Sequence, residues 1–281
     1  MSAAAAVLRP LRADDVKEVE RLWSLDGPPG GWTESDRARA RARITRAIST
    51  DPDGCWAAAG DGRLLGVAIA LARDTIWVLS LLMVDRDAQS GGLGRRLMVR
   101  ALEYGTDCRG GLIAASSDPR ALRLYGGNGF ALHPVLEGMG TVDRSRLPAV
   151  RGVREGDSTD LEFAGRIDAR IRGGARVDDV AAMLETGGRL FVARRGYAVG
   201  REGTCVMLAA EDEQAASGLL WSVLADAPPD GRWLVQWITG RQQWAVAIAL
   251  EARLKLAIDG ALCTRGELGP LHPFLPSGSL L

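Results

Sequence analysis

Lysine is almost missing from this chain. Of 281 residues only Lys17 and Lys255 are lysines, and only His133 and His272 are histidines. Neither lysine follows a glycine, so the Gly-Lys-Ser/Thr core of a Walker phosphate loop is excluded. With two histidines, each before a proline, there is little material for a metal centre or a Ser-His-Asp triad, and no G-x-S-x-G elbow occurs. The four cysteines, Cys55, Cys108, Cys205 and Cys263, are far apart and form no C-x-x-C. Reduced, mostly buried thiols are expected, and no metal. No apolar run reaches the roughly 18–20 residues of a membrane helix. The opening MSAAAAVLRP lacks the basic segment of a secretory signal, so the expected compartment is the cytoplasm. Net charge is zero by formal count, so no basic field argues for nucleic acid.

What is present is a globular composition, 47% apolar, in a chain long enough for one large domain or two ordinary ones. AVLRPLRADDVKEVERLW reads as a short strand, then a helix starting near Asp14-Asp15. SLDGPPGGWTES is a loop, and ESDRARARARITRAIS a polar helix. Gly60-Asp61-Gly62 sits between two apolar runs and predicts a hairpin. The run from Thr75 to Val84 is too continuous for a half-exposed strand and is expected in the middle of a sheet. From Leu93 a helix follows, with Leu93, Leu97, Ala101 and Tyr104 on one face. GGLIAASS is another strand. Asp118-Pro119 then opens a helix as cap and first-turn proline. Short strands at ALHPV and EGMGTV are expected to close this half near residue 146.

Gly91, Gly92 and Gly94 lie between the apolar strand and the helix, followed by Arg95 and Arg96. Three readings fit such a cluster. It can be a plain tight turn. It can be a dinucleotide fingerprint, although Leu97 stands where the third small residue belongs and the loop falls mid-domain. It can be a phosphate cradle at a helix start, where backbone N–H groups are unpaired and the partial charge is positive.

A second motif bears on the choice. Gln89 to Gly94 fits Q/R-x-x-G-x-G, and DPRALRLYGGNGF fits N-x-x-A-x-x-L-Y-x-x-x-G-F with Asp118 for Asn. The pair, in this order and spacing, resembles the GNAT superfamily of acetyltransferases over roughly residues 5–146. The resemblance implies an α/β (α+β) fold with a mixed, mostly antiparallel central sheet, flanking helices and a splayed central strand pair. It implies acetyl-CoA as acyl donor, with its pyrophosphate on Gln89, Ser90, Gly91, Gly92, Gly94 and Arg95. The pantetheine arm would lie on the backbone of Leu82, Met83 and Val84. Asp118 and Tyr125 complete the expected cofactor contacts, and Tyr125 is the expected acid for the leaving sulfur. No carboxylate lies between Thr75 and Val84, where many relatives place a base, and Asp85 is read as a loop cap. The base is then a water chain, or absent if the amine arrives neutral. For the acceptor, the resemblance points to the first two helices and their loop: Trp23, Asp26, Trp32 and Glu34, with Ser80 and Ser116 as water-orienting candidates.

From residue 147 the plan starts again. VRGVREGDSTDLEFAGRI echoes the first helix region, and 36 positions separate both Gly94 from Phe130 and Gly218 from Leu254. Under that shift Gln89 becomes Glu213, Gly92 becomes Ala216, Arg95 and Arg96 become Leu219 and Leu220, and Tyr125 becomes Ala249. The expected organisation is a catalytic GNAT domain over 1–146 and a degenerate GNAT-like copy over 147–281 with an ordered C-terminal tail. Chance likeness of two α/β halves is the alternative. Trp233, Trp237 and Trp244 are candidates for a wall facing the first half, or plain core. The implied activity is N-acetylation of a small-molecule amine by direct attack, in a monomer or homodimer without nucleic-acid or membrane partners. The alternatives are a non-catalytic acyl-CoA-binding regulator and an enzyme acting on a protein or peptide amine.

Overall fold

A computed structural model describes residues 6–25, 31–60 and 62–280. It separates into two compact units. The first comprises residues up to 72 together with 77–108, and the second 73–76 together with 109–281.

The first unit is a meander backed by helices. Strand β1 (Val7–Pro10) is antiparallel to β2 (Cys55–Gly60), and β2 to β3 (Arg63–Arg73), with β4 (Ile76–Val84) beside β3. The predicted hairpin is there: Gly60 pairs with Arg63. Its Asp61 lies outside the described residues. Helices α1 (Val16–Ser24) and α2 (Glu34–Thr50) fall between β1 and β2, and α3 (Leu93–Tyr104) follows β4. The α2 start is a capping box: Thr33 Oγ1 accepts from the Asp36 N–H at 3.1 Å, and Asp36 accepts from the Thr33 N–H at 2.9 Å. In α3 the apolar period buries Leu93, Leu97, Met98 and Ala101 completely, while Tyr104 sits half-buried and donates to Asp51 at 3.0 Å. Trp77 is sealed in this core with its indole N–H on the Ala101 carbonyl at 2.8 Å.

The second unit starts earlier in the chain than the expected boundary at 146. Its strands are β5 (Gly110–Ala115), β6 (Ala131–Thr141), β7 (Val153–Gly156), β8 (Arg189–Ala193), β9 (Gly196–Arg201), β10 (Thr204–Ala210), β11 (Arg232–Thr239), β12 (Lys255–Gly266) and β13 (Phe274–Leu275). Their order is β5-β12-β6-β11-β10-β9-β8-β7, with β13 on β10. The two short strands expected at ALHPV and EGMGTV are one strand, β6. That strand does not pair with β5. Instead β12, from the end of the chain, lies antiparallel to both: Ala261–Gly266 pairs with β5, and residues from Lys255 to Thr264 pair with β6. Backbone pairing between residues more than a hundred positions apart is what moves the division away from 146. With β10 and β11 parallel and β7–β8, β8–β9, β9–β10, β10–β13, β6–β11, β6–β12 and β5–β12 antiparallel, the fold is a mixed sheet flanked by helices, as expected.

Helices α5 (Leu161–Ile171) and α6 (Val177–Glu185) pack one core of this unit, and α7 (Glu213–Ala225) and α8 (Gln243–Glu251) another. Two of the three candidate wall tryptophans are core: Trp233 donates to the Leu224 carbonyl at 2.8 Å and Trp244 to Gln242 Oε1 at 2.9 Å, both buried. Trp237 is half-buried. Cys55, Cys205 and Cys263 are buried free thiols, and burial pushes each up to about 12. Among the described residues no helix is long and apolar enough to cross a membrane, and no group of His, Cys, Asp or Glu could hold a metal ion.

A buried charge network ties the end of the chain to α5. Asp168 takes the Arg176 guanidinium at 2.8 Å and the Tyr197 hydroxyl at 2.7 Å, and Arg176 reaches on to the Leu280 carbonyl at 2.9 Å. Both charged side chains are wholly excluded from solvent. Removing one partner of such a pair strands the other's charge and costs about 3–5 kcal/mol. Asp168→Ala should therefore lower unfolding stability by that amount in urea titration; a loss below about 1 kcal/mol would contradict the role given to this pair.

Candidate acyl-donor site

The path from β4 into α3 is built residue by residue from the sequence. The first six residues of β4 are buried, and the last three, Leu82, Met83 and Val84, are half-exposed. Asp85 then turns the chain. Its N–H bonds the Leu65 carbonyl at 2.9 Å, and its carboxylate accepts from the Asp87 N–H at 3.1 Å and from Arg63 at 2.6 Å. Burial alone would raise this carboxyl; the Asp87 N–H and the Arg63 guanidinium outweigh it and hold it below the usual carboxylate range. Asp85 is thus a committed cap, as its place in the sequence implied. Gln89 donates back to the Val84 carbonyl at 3.0 Å and fastens the loop to the strand.

Ser90 and Gly92 both have left-handed backbone, with φ of 68° and 78°. At Gly92 the conformation is what requires glycine, since a Cβ there would meet nothing within 4 Å. The space in front of the α3 start is therefore open. Gly92 is the N-cap, so no side chain caps the helix, and the first turn holds no acidic residue. Arg95 is exposed and has no ion-pair partner among the described residues. Arg96 differs: it donates to the Ala6 carbonyl at 2.8 Å and so anchors the chain before β1. Unsatisfied N–H groups, a positive helix end, an open approach and one free guanidinium together make a site for an anion.

In the second unit, Asp118 caps α4 (Pro119–Gly127) by accepting from the Arg120 N–H at 2.8 Å, and it also holds the Arg120 guanidinium. That guanidinium keeps its carboxyl below the ordinary range. Tyr125 is buried, with no partner for its hydroxyl among the described residues. Burial, with Cys263 and Asp118 nearby, raises the phenol well above its ordinary value, so it stays protonated. Ser116 is exposed and Ser80, in the first unit, is buried.

Helix α7 begins differently. Asp212 caps α7 with its carboxylate on the Ala215 N–H at 2.7 Å, and Glu213 occupies the first turn, 3.2 Å from His272. Ala216, Leu219 and Leu220 are buried core. The neighbouring strand is covered as well. Strands β10 and β11 pair only at Thr204↔Leu234 and Cys205↔Val235. Beyond that, β13 takes the side of β10 through Leu208↔Leu275 and Ala209↔Phe274, and the Ala210 N–H bonds the Pro273 carbonyl at 3.2 Å. Buried Gln242 keeps this tail in place, donating to the Leu271 carbonyl at 2.8 Å and accepting from the Phe274 N–H at 3.2 Å.

Residues 33–137 match the family model of the acetyltransferase (GNAT) domain. The match spans less than half of the chain and includes the glycine loop, α4 and most of β6. It supports acyl transfer as the general chemistry. No curated protein matches in sequence. Several solved structures share the fold. A "Putative Acetyltransferase" from Pyrococcus horikoshii is 16% identical with a TM-score of 0.79, over 98% of this chain and 95% of that one. A GCN5-related N-acetyltransferase from Sphaerobacter thermophilus is 15% identical, TM-score 0.61, over 93% and 95%. A tandem GNAT protein from the clavulanic acid biosynthesis pathway, solved without acetyl-CoA, is 15% identical, TM-score 0.60, over 93% and 98%.

Of the acceptor candidates, Trp23 and Trp32 come together, edge to face with ring centroids 5.1 Å apart. Glu34 is not a free carboxylate: it bonds Arg41 at 2.5 Å. Asp26 lies outside the described residues. Sequence reasoning missed Arg43, whose guanidinium carbon lies 3.8 Å from the centre of the Trp23 ring.

The α3 reading makes a two-sided prediction for Gly94→Asp. A carboxylate in the first turn of a helix stabilises it by about 0.3–1 kcal/mol, so the variant should melt no lower than the parent. The same charge should abolish the rise in melting temperature caused by acetyl-CoA. An undiminished rise would place the phosphates elsewhere.

Proposed function

We propose that this chain is an N-acyltransferase that moves an acetyl group from acetyl-CoA to the primary amine of a small molecule. The observation that carries the proposal is the start of α3: left-handed Gly92 as N-cap, no capping side chain, no acid in the first turn and an unpaired Arg95. Those features fit a pyrophosphate. Gln89 to Gly94 and Arg95 hold it, and the half-exposed end of β4 from Leu82 to Val84 offers backbone to the pantetheine arm. Bound acetyl-CoA supplies the activated acyl group as a thioester.

The amine attacks the acyl carbon, the C–S bond breaks and a thiolate leaves. Tyr125 presents its O–H to that sulfur. Because burial disfavours tyrosinate, the phenol serves best as a hydrogen-bond donor to the departing thiolate, with the proton transferred late. No carboxylate of β4 or Asp85 is free to act as base, so the amine enters neutral or loses its proton to water. We place the enzyme in the cytoplasm, as a monomer or homodimer.

The second half is proposed to be a degenerate copy whose acyl-CoA slot is closed. Asp212 and Glu213 put carboxylates where phosphates would bind, and β13 fills the side of β10. Titration calorimetry with acetyl-CoA should accordingly give one site per chain; two sites would refute the closed slot.

Turnover is tested with acetyl-CoA and an amine panel, reading free thiol. Tyr125→Phe should lower kcat by about 10²–10⁴ and leave acetyl-CoA affinity nearly unchanged. An unaltered kcat, measured where chemistry limits the rate, would reduce Tyr125 to a packing residue.

A further inference from the structure

Arg43 on α2 has no counterion among the described residues. Its half-buried side chain is stacked on Trp23, and its Nη2 is shut off from solvent with no hydrogen-bond partner among the described residues. Burial draws its pKa down to about 9, which still leaves it charged at neutral pH. The carboxylates of α1 and α2 are all committed elsewhere. Glu18 bonds Arg21 at 3.2 Å, and buried Glu20 takes both Arg37 and Arg41 at 2.7 Å. Glu34 takes Arg41, and Asp36 takes Arg39 at 2.6 Å together with Thr33. Within this helix pair Glu20 and Glu34 take Arg37 and Arg41, and no carboxylate of either helix is paired with Arg43. Trp23 and Trp32, in edge-to-face contact beside it, are both half-buried and so keep open surface.

A sealed N–H donor lacking a partner, such as Nη2 of half-buried Arg43, normally costs stability, because it loses water and gains nothing. Stacking on the indole compensates the charge from one face and leaves the in-plane Nη2 donor unsatisfied. The missing component is an anion that lies in the guanidinium plane. A carboxylate does this with two parallel hydrogen bonds. A phosphate dianion would call for a second uncompensated cation, and the apolar indole rims favour a ligand with an apolar body.

We propose that Arg43, with Trp23 and Trp32, binds a carboxylate carried by the acceptor, so that the amine acetylated by this chain belongs to a molecule that is also an acid with an apolar body. The proposal rests on the N-acyltransferase reading, and its test separates the two. Apolar amino acids are compared with their methyl esters, using full-length protein and acetyl-CoA, with free thiol as the readout. Binding of the N-acetyl amino acids and their methyl esters is measured in parallel by calorimetry, which needs no turnover.

The acids should bind and react, and the esters should be poorer by roughly ten- to a hundredfold in Kd and KM, the size of a lost charge-assisted pair. Arg43→Gln should impose the same penalty on the acids alone, with kcat at saturation nearly unchanged. Arg43→Lys should recover little, since an ammonium lacks the planar fork. If Arg43→Gln does not fold, as judged by circular dichroism, Trp23→Phe provides the second variant and should weaken the acids more than the esters. Esters that bind as well as acids, acids indifferent to both variants, or no binding by any acid of the panel would overturn the proposal. Acid binding that depends on Arg43 without release of thiol would sustain it and defeat N-acetyl transfer. Turnover of amines that ignores Arg43 would do the reverse.

Discussion

A helix begins with backbone N–H groups that must meet something, and the helix starts of this chain differ in what they meet. At α2, α4 and α7 they meet side chains of the chain itself: Thr33, Asp118 and Asp212. At α3 the N-cap is a glycine in the left-handed region and no side chain answers. The starts of α1, α5, α6 and α8 also lack a capping side chain, but among the described helices α3 alone has a left-handed glycine at its N-cap, with open space around it. The rest of the first unit serves the opening: Asp85 and Gln89 pin the loop, β4 ends half-exposed beside it, and Arg96 is drawn off to the backbone of Ala6 so that Arg95 alone is free.

The start of α7 shows how such an opening can be filled by the chain's own residues. In α7 an acid sits at the N-cap and another in the first turn, and the flank of β10 is sealed by a strand from the chain's own tail. Closing such a site needs two things: negative charge where the anion would go, and backbone partners for the strand that the ligand would have satisfied. Asp212 supplies the first, and Phe274 with Leu275 the second.

Local features were readable in the residues. The glycine loop, the apolar face of α3, the Asp118-Pro119 start of α4, the Gly60–Arg63 hairpin and the cap at Asp85 each depend on neighbours within a few positions. Three features were not. The pairing of β12 with both β5 and β6 depends on which strands find each other across more than a hundred residues, and no local pattern records that. Arg43 was hidden by its surroundings, since ESDRARARARITRAIS offers five arginines of identical appearance. The signal lay in position. Arg43 is three residues after buried Ala40 and next to buried Ile44, at the edge of the inward face, whereas Arg39 and Arg41 find carboxylates at the surface. Pairing of Trp23 with Trp32 was equally beyond local reading, although both had been singled out for their place around the first interhelical loop.

The placement of β12 also governs when the protein can become complete during synthesis. Strands β5 and β6 leave the ribosome with residues 110–141, but the strand that joins them is made at 255–266. At a synthesis rate of about 5–20 residues per second, β5 and β6 wait many seconds with unpaired edges. Open strand edges are the usual route to mispairing with other chains. The nascent chain therefore passes through an interval in which these strand edges are exposed, and it leaves that interval only once residues 255–266 have been made.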